Sequence, residues 1–563
     1  ELVPRDRWIN HALLVVALLS GAYLLLRWEE IALSGGITND VDIAVGGVLI
    51  LLVLEATRRT VGRMLALITL VFLLYPFMSP YLPGLLNSRG IRFESFVSFL
   101  VHSGQGFYGI PIGVASTYIV LFTIFGSFLG EFGAGDFFFR LSSGVTRGLR
   151  AASAKSAVLF STMLGMISGS AAGNVAVTGS FTIPLMKREG YAPHQAGAIE
   201  AVVSTGGQIM PPVMGAAAFI MAEIVGTPYV NIMKAGLIPA LLFFLSVLFV
   251  VHLQAVKSDI PIQDGRDADS QPVGGTLFSG LPFIIPFMTL IGMMIVGYSP
   301  VKASFFAIVI LVSLNVVATR RVNSEFWQKV VRAMSNGVKN AVPIAVACAA
   351  AGGISAVLSA TGLGSKLSSF IISMSGGIPI IALVLTMLTA IILGMGLPTT
   401  AAYLILATVV APALADMGVP LLTAHMFVFF FGCVSTITPP VALASYVAAG
   451  VARADINLVG WTAFRFGIVC YLLPFAFFFG PALLAQGAVW EIALTFVSGV
   501  IGVFCLATAI VGYFRDHLSL TGRAIGCAAG VLLVYQGFAT DLVGLAIMAG
   551  WTLTANRRSV AGA

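Results

Sequence analysis

Apolar runs long enough to cross a bilayer, roughly 20 residues each, follow one another almost end to end along this chain. The stretches 13–26, 43–55, 64–82, 111–129, 232–251 and 283–296 show the type. Of the 563 residues 58% are hydrophobic and 9% charged. A soluble domain carries about a quarter charged residues, so this chain cannot cover its surface with water-facing side chains. Barrel strands would show two-residue alternation over shorter segments. The fold class predicted is therefore an all-α polytopic membrane protein with the lipid bilayer as its solvent. The first apolar run has no small-residue cleavage site after it and reads as a permanent span.

The net charge of +7, from 30 basic and 23 acidic residues, fits basic cytoplasmic loops rather than a nucleic-acid footprint, and no nucleic-acid partner is expected. Cys348, Cys433, Cys470, Cys505 and Cys527 lie in apolar surroundings without a CxxC pair, which suits packing better than metal or disulfide roles. The six histidines are scattered. Nothing in these patterns points to an enzyme or to a cofactor.

Basic residues set the orientation. Arg58, Arg59 and Arg63 follow the second run, whereas Glu29, Glu30, Asp40 and Asp42 precede it, so the N-terminus is expected inside. Arg140, Arg147, Arg150 and Lys155 form one basic stretch, and Lys187 and Arg188 another. The segment 156–186 between them leaves and returns on one side, which fits a re-entrant hairpin with its tip at Ser168-Gly169-Ser170. The segment 378–416 lies in a neutral-to-acidic frame, Gly376-Gly377 before it and Asp416 within it, as expected outside.

The two segments belong to a longer repeat. "FLGEFGAG" at Phe128 matches "VLSATGLG" at Val357, Met166 matches Met395, Pro211 matches Pro439 and Pro111 matches Pro343, at a nearly constant offset. The flanks invert, since "RFESF" at Arg92 follows an outside loop and "SEFWQKVVR" at Ser324 follows the inside pair Arg320-Arg321; this predicts two inverted-topology repeats, the pattern of alternating-access transporters. The division expected is 1–90, three spans outside the repeats; 91–256, the first repeat with hairpin 156–186; 257–276, a polar linker; 277–320, connecting scaffold helices; 321–486, the second repeat with hairpin 378–416; and 487–563, further membrane helices. If Asp541 breaks the last apolar run in two, Arg557 and Arg558 return to the inside; if it does not, they lie outside, against the positive-inside rule.

Four interruptions fall in matched pairs: Ser168-Gly169-Ser170, "GGQIMPP" from Gly206, "GMGLPTT" from Gly394 and "STITPP" from Ser435. In hydrocarbon an unpaired backbone group costs several kcal/mol, so irregular backbone survives only inside protein or beside a polar cavity. Half-helix N-termini suit a carboxylate, and C-terminal ends or unwound carbonyls suit a cation. Two tips meeting two unwound helices would build one central site, with substrate-binding candidates Ser168, Gly169, Ser170, Asn174, Gly207, Gln208, Pro211, Pro398, Thr399, Thr400, Thr436 and Thr438. Packing kinks are the plainer reading of any one break. Asn174 either ligates substrate or satisfies backbone. Tyr403, at the matching place in the second repeat, is a packed core aromatic or closes over a ligand. Glu131, Glu200 and Glu223 stand at membrane depth, where a carboxylate either carries a coupled proton or caps a helix end at the interface.

At these residues the chain resembles a known family. "GNVAVTGSFTIPLMKREGY", "GGQIMPPVMGAAAFIMAE", "GMGLPTTAAYLILATVVAPAL" and "STITPPVALASYVAAG" are similar to the fused membrane subunit of TRAP transporters of the TAXI class, over roughly residues 92–481. Residues 1–90 stand where the small subunit is fused. The resemblance implies an elevator-type fold like that of the ion-transporter superfamily, in the bacterial inner membrane. It implies a periplasmic TAXI-type substrate-binding protein that delivers a small organic anion, often a dicarboxylate. The family's ion sites map onto Ser168, Gly394, Met395, Thr399, Ser435 and Thr438 as sodium ligands, while Glu200 and Glu223 are extra carboxylates that favour a proton as the coupling cation. The expected function is binding-protein-dependent, cation-coupled import. A stand-alone symporter of the same architecture and a gated ion channel are the rivals.

Overall fold

A computed structural model describes residues 4–33, 37–262, 273–320 and 322–561. It is helical throughout, apart from a two-residue ladder that pairs Tyr513 with His517. Among the described residues nine helices are long and apolar enough to cross a membrane, from Trp8–Leu33 to Val489–Val511. The chain is a multi-pass membrane protein.

The first helix, Pro4–Leu33, packs mainly on its neighbour Asp40–Thr60, with Trp28 edge-on to Tyr108 at 6.1 Å. Leu14, Leu18, Leu25 and Leu26 on it stay exposed, as a lipid-facing stripe does. Its tie is electrostatic. Asp42 is fully buried and accepts from the Tyr23 hydroxyl (2.8 Å) and an Arg27 nitrogen (3.3 Å). Asn39 and Asp42 also form a capping box that starts the second helix, so the buried carboxylate is both paired and hydrogen-bonded, as burial of a charge requires.

The long helix Ser324–Thr361 runs through the middle of the molecule. It packs against Asp40–Thr60, Arg63–Met78, Val120–Glu131 and Thr399–Val409, joining the N-terminal helices to both halves. Its small residues allow this closeness: Gly337 faces the Ile124 backbone, and Gly352 the carbonyl of Gly106.

Two helical hairpins stand out. The first consists of Ala152–Ser168 and Ala171–Glu189, packed together and against Pro193–Gly207. It is longer than the 156–186 expected, because its ends are set by the positive φ of Ala151 (62°) and Gly190 (118°) rather than by the basic residues. The second joins Pro379–Gly394 to Thr399–Val409 and the short Ala411–Asp416. Half of the polar linker expected at 257–276, residues 263–272, lies outside the described residues.

At the C-terminus, Val489–Val511, Leu520–Tyr535 and Phe538–Ala561 pack together, with the first lying along Tyr229–Lys257. The break in the last apolar run is at Gln536 and Gly537, not at Asp541. Gln536 adopts φ 65° and ends one helix, while Asp541 sits in the first turn of the next, where a carboxylate suits the helix dipole.

Candidate functional site

Each of the four interruptions is a local break with a readable cause. Gly169 takes φ 65° after the helix ending at Ser168, a left-handed turn that glycine makes without a Cβ penalty. Ser170 then caps the next helix by accepting from the Gly173 amide at 3.2 Å. The helix Pro193–Gly207 stops before Pro211 and Pro212, and a new one starts at Gly215. In the second hairpin, Gly396 (φ 75°) and Pro398 separate Gly394 from the helix that starts at Thr399. The helix Leu421–Val434 gives way at Ser435–Ile437 and resumes at Leu443 beyond Pro439 and Pro440. Both Pro-Pro bonds are cis.

These breaks touch one another in a ring. Gln208, 3% exposed, donates its amide N–H to the Gly169 carbonyl at 2.9 Å and accepts the Thr399 hydroxyl at 2.9 Å. One side chain from the first unwound helix thus joins both hairpin tips. Ser435, in the second unwound helix, donates to the Gly394 carbonyl at 3.1 Å. Thr205 and Thr436 close the ring, their hydroxyls 3.1 Å apart. The approach needs glycine: a Cβ on Gly207 would stand 2.7 Å from the Gly165 Cα, and one on Gly169 2.7 Å from the Gly215 Cα.

The other candidates fall around this ring. Ser168 and Ser170 are exposed at the first tip. Thr400 is 8% exposed in the first turn of its helix, whose leading amides lack partners within the helix and form a place for an anion. Pro211 adjoins Pro212, whose carbonyl accepts the Tyr229 hydroxyl at 2.9 Å. Thr438 turns instead to the Tyr471 hydroxyl, 2.6 Å away. Met395 is half-buried beside Gly394. Of the six proposed sodium ligands, Gly394 and Ser435 meet directly. Among the described residues no three His, Cys, Asp or Glu side chains converge as a metal site would require, so a cation at the breaks would be held by hydroxyl and carbonyl oxygens.

The three carboxylates part company. Glu200 is fully buried between the first hairpin and Pro193–Gly207. Its oxygens accept from Ser161 (2.9 Å), Ser204 (3.1 Å), Thr182 (2.5 Å) and Thr178. Asn174 belongs to the same cluster, donating to the Ser161 and Ser204 hydroxyls at 2.8 and 3.1 Å, while its amide oxygen is buried with no partner. Glu131 ends its helix and pairs with Arg332 (3.3 Å) and Asn336 (2.8 Å). Glu223 is exposed and accepts from the Tyr118 hydroxyl at 2.9 Å, at a cleft that Tyr229 and Tyr298 also line. It does not join the Glu200 cluster.

Tyr403 is wholly buried, its hydroxyl 2.9 Å from His425 Nδ1, a core aromatic with a buried polar partner. Sequence reasoning missed Ser161, Thr178, Thr182 and Ser204. Their signal was spacing: Thr178 and Thr182 lie four apart on one helical face, and Ser204 lies four after Glu200.

A family model described as the DctM component of the tripartite ATP-independent periplasmic transporter matches residues 48–492. The 2,3-diketo-L-gulonate TRAP transporter large permease protein YiaN of Escherichia coli is 22% identical, over 59% of this chain and 77% of its own length. The uncharacterized protein YgiK of Salmonella typhimurium is 24% identical over 54% of this chain and 68% of its own. The uncharacterized y4mL of Sinorhizobium fredii is 23% identical over 58% and 76%. The matched span takes in all four breaks, and this chain belongs to the DctM family, the large permease component of tripartite ATP-independent periplasmic transporters.

Proposed function

We propose that the chain is the membrane permease of a TAXI-class TRAP transporter with small-subunit-like helices fused at its N-terminal end, within residues 1–90 and ahead of or overlapping the large-component match that begins at residue 48. It takes a small organic anion from a periplasmic binding protein and carries it across the bacterial inner membrane, with the N-terminus in the cytoplasm. A dicarboxylate is the first candidate cargo. The compound named for one relative, 2,3-diketo-L-gulonate, is the second to assay. The hairpins and the two broken helices, as inverted repeats, form the body that moves, and the long helix Ser324–Thr361 with the N-terminal helices forms the frame.

One observation carries this reading: Gln208 holds Gly169 of one tip and Thr399 of the other at once. Substrate then sits beside that bridge, between the Ser168–Ser170 turn and the amides that open the helix at Thr399. The same contact argues against a channel, whose pore needs a continuous polar path.

The coupling cation in this reading is a proton on Glu200. Thr178 and Thr182 each reach two acceptors, the carboxylate or the carbonyl one turn back, at 2.8 Å (Asn174) and 3.0 Å (Thr178). Rotating hydroxyl hydrogens therefore satisfies Glu200 either charged or neutral, with no heavy atom moving. Uptake into proteoliposomes, with pH and sodium gradients imposed separately and the binding protein present or absent, tests each part. Glu200→Gln should abolish pH-driven accumulation while substrate exchange persists. Accumulation that follows sodium alone and ignores Glu200→Gln would sink the proton assignment. Uptake indifferent to the binding protein would sink the partner.

A further inference from the structure

Three cations from three elements converge on one helix end in the C-terminal region. The helix Val489–Val511 finishes with carbonyls that lack intrahelical partners. Lys257, closing the helix Tyr229–Lys257, donates to the Val511 carbonyl at 2.7 Å. Arg465 donates through Nε to the Ile510 carbonyl at 3.0 Å. Arg523 donates to the Ala509 carbonyl at 2.8 Å and shares the Ile510 carbonyl at 3.3 Å. Two guanidinium groups thus meet on a single oxygen, with an ammonium on the next residue. Among the described residues no carboxylate lies within ion-pair distance of any of the three. A helix C-terminus offers about half a negative charge, so most of the positive charge gathered there is uncompensated.

The donors are not used up. Arg465 and Arg523 reach the helix end through Nε and Nη2, which leaves Nη1 of each to donate elsewhere, and the Lys257 ammonium has two further protons beyond the one it gives Val511. Arg465 is exposed, and Lys257 and Arg523 are half-exposed, so the cluster opens outward. What it opens toward is lipid: Trp461, 60% exposed, lies four residues before Arg465 on the same helical face, with Leu458 and Ile456 exposed on the turn before. An exposed tryptophan beside arginine marks the headgroup level of a bilayer.

We propose that Lys257, Arg465 and Arg523 bind the phosphate of an anionic phospholipid, with its acyl chains along the Trp461 face. The helix Ile456–Phe466 connects the second broken helix to the membrane helix Ile468–Phe479 and packs against both Pro193–Gly207 and Val489–Val511. The bound lipid pins the end of that connector to the C-terminal helix Val489–Val511. Arg523 and the carbonyls it caps lie beyond residue 492, where the family match ends, so the site is built in part from this chain's own addition. It stands whether or not the transport reading does.

The test is native mass spectrometry and thermal unfolding of the purified full chain with added phosphatidylglycerol, phosphatidylcholine or inorganic phosphate. Three cations near a membrane surface give an anionic lipid about a 150-fold advantage over a zwitterionic one, and each charge removed lowers it about fivefold. Phosphatidylglycerol should be retained and raise the unfolding temperature of the wild type, with phosphatidylcholine and phosphate doing neither. Arg523→Gln and Arg465→Gln should weaken retention stepwise, and Arg523→Lys, which keeps the charge, should restore most of it. Equal retention of the two lipids by the wild type would overturn the site, a result that does not depend on any variant folding. A full effect from inorganic phosphate alone would overturn the lipid as occupant.

Discussion

The bridge at Gln208 can be broken from either end, and the two cuts should not add. Thr399→Val removes one hydroxyl and leaves the Gln208 amide oxygen buried without a donor, a loss of about 1–2 kcal/mol. Gln208→Leu removes both bonds at once. It leaves the Gly169 carbonyl and the Thr399 hydroxyl unpaired, the latter on a side chain 7% exposed, and should cost about 2–4 kcal/mol. In the double variant the Thr399 hydroxyl is no longer there to be stranded. The double should therefore be more stable than the sum of the singles predicts by about 0.6–1.7 kcal/mol, the range of hydrogen-bond coupling measured inside membrane proteins. Reversible unfolding of the four proteins in mixed micelles, followed by helicity, gives the numbers. Both single variants should also slow uptake, Gln208→Leu the more. If the stabilities add within about 0.3–0.5 kcal/mol, the limit for independent sites, Gln208 and Thr399 are not partners in the folded protein and the joined tips fall with them.

Gly207→Ala would drive a methyl group against the Gly165 backbone at 2.7 Å, and an overpacking penalty of about 1–3 kcal/mol should appear as a lower unfolding midpoint, whereas Gly130→Ala, with open space around it, should leave the midpoint unchanged. Tyr403→Phe strips His425 Nδ1 of its hydroxyl partner and should destabilise by about 1–3 kcal/mol, measurable by the same unfolding. Glu131→Gln breaks an ion pair whose side chains are 24% and 53% exposed, worth about 0–1 kcal/mol, so uptake and its pH dependence should stay near wild type; a lost pH response would give Glu131 the role assigned above to Glu200.

The breaks themselves were legible because glycine, proline and hydroxyl residues have few reasons to interrupt an apolar run in lipid. Their partners were not, since no local pattern says which break a side chain such as Gln208 or Thr205 will reach. Charge misled in one place. Arg150 and Lys155 suggested where the first hairpin begins, yet the helix starts where Ala151 takes a positive φ. Whether Asp541 broke the last run was open from the sequence; the break falls just before it, at Gln536 and Gly537, and Asp541 sits in the first turn that follows. The three glutamates were alike in sequence, and their fates differ only through what neighbouring helices present: hydroxyls around Glu200, Arg332 against Glu131, and an open cleft beside Glu223.

That a ring of breaks exists at all bears on how they could move. A lone interruption in a membrane helix leaves carbonyls and amides that lipid cannot satisfy. Here the interruptions lean on one another as well as on their own helices: the Gly169 carbonyl on Gln208, Gln208 on Thr399 and the Gly394 carbonyl on Ser435, while Ser435, Thr436 and Thr205 also donate to carbonyls one turn back. Sliding one hairpin relative to its broken helix would expose several of these groups together, at a cost of several kcal/mol. Moving the hairpins and broken helices together exposes none of them. In the proposed transport cycle, then, the irregular backbone that makes the site is also what binds its four parts into one rigid unit, and the boundary that slides lies at that unit's contacts with the frame, where Thr399–Val409 packs on Ser324–Thr361 and the Thr408 hydroxyl donates to Ser355 at 3.0 Å.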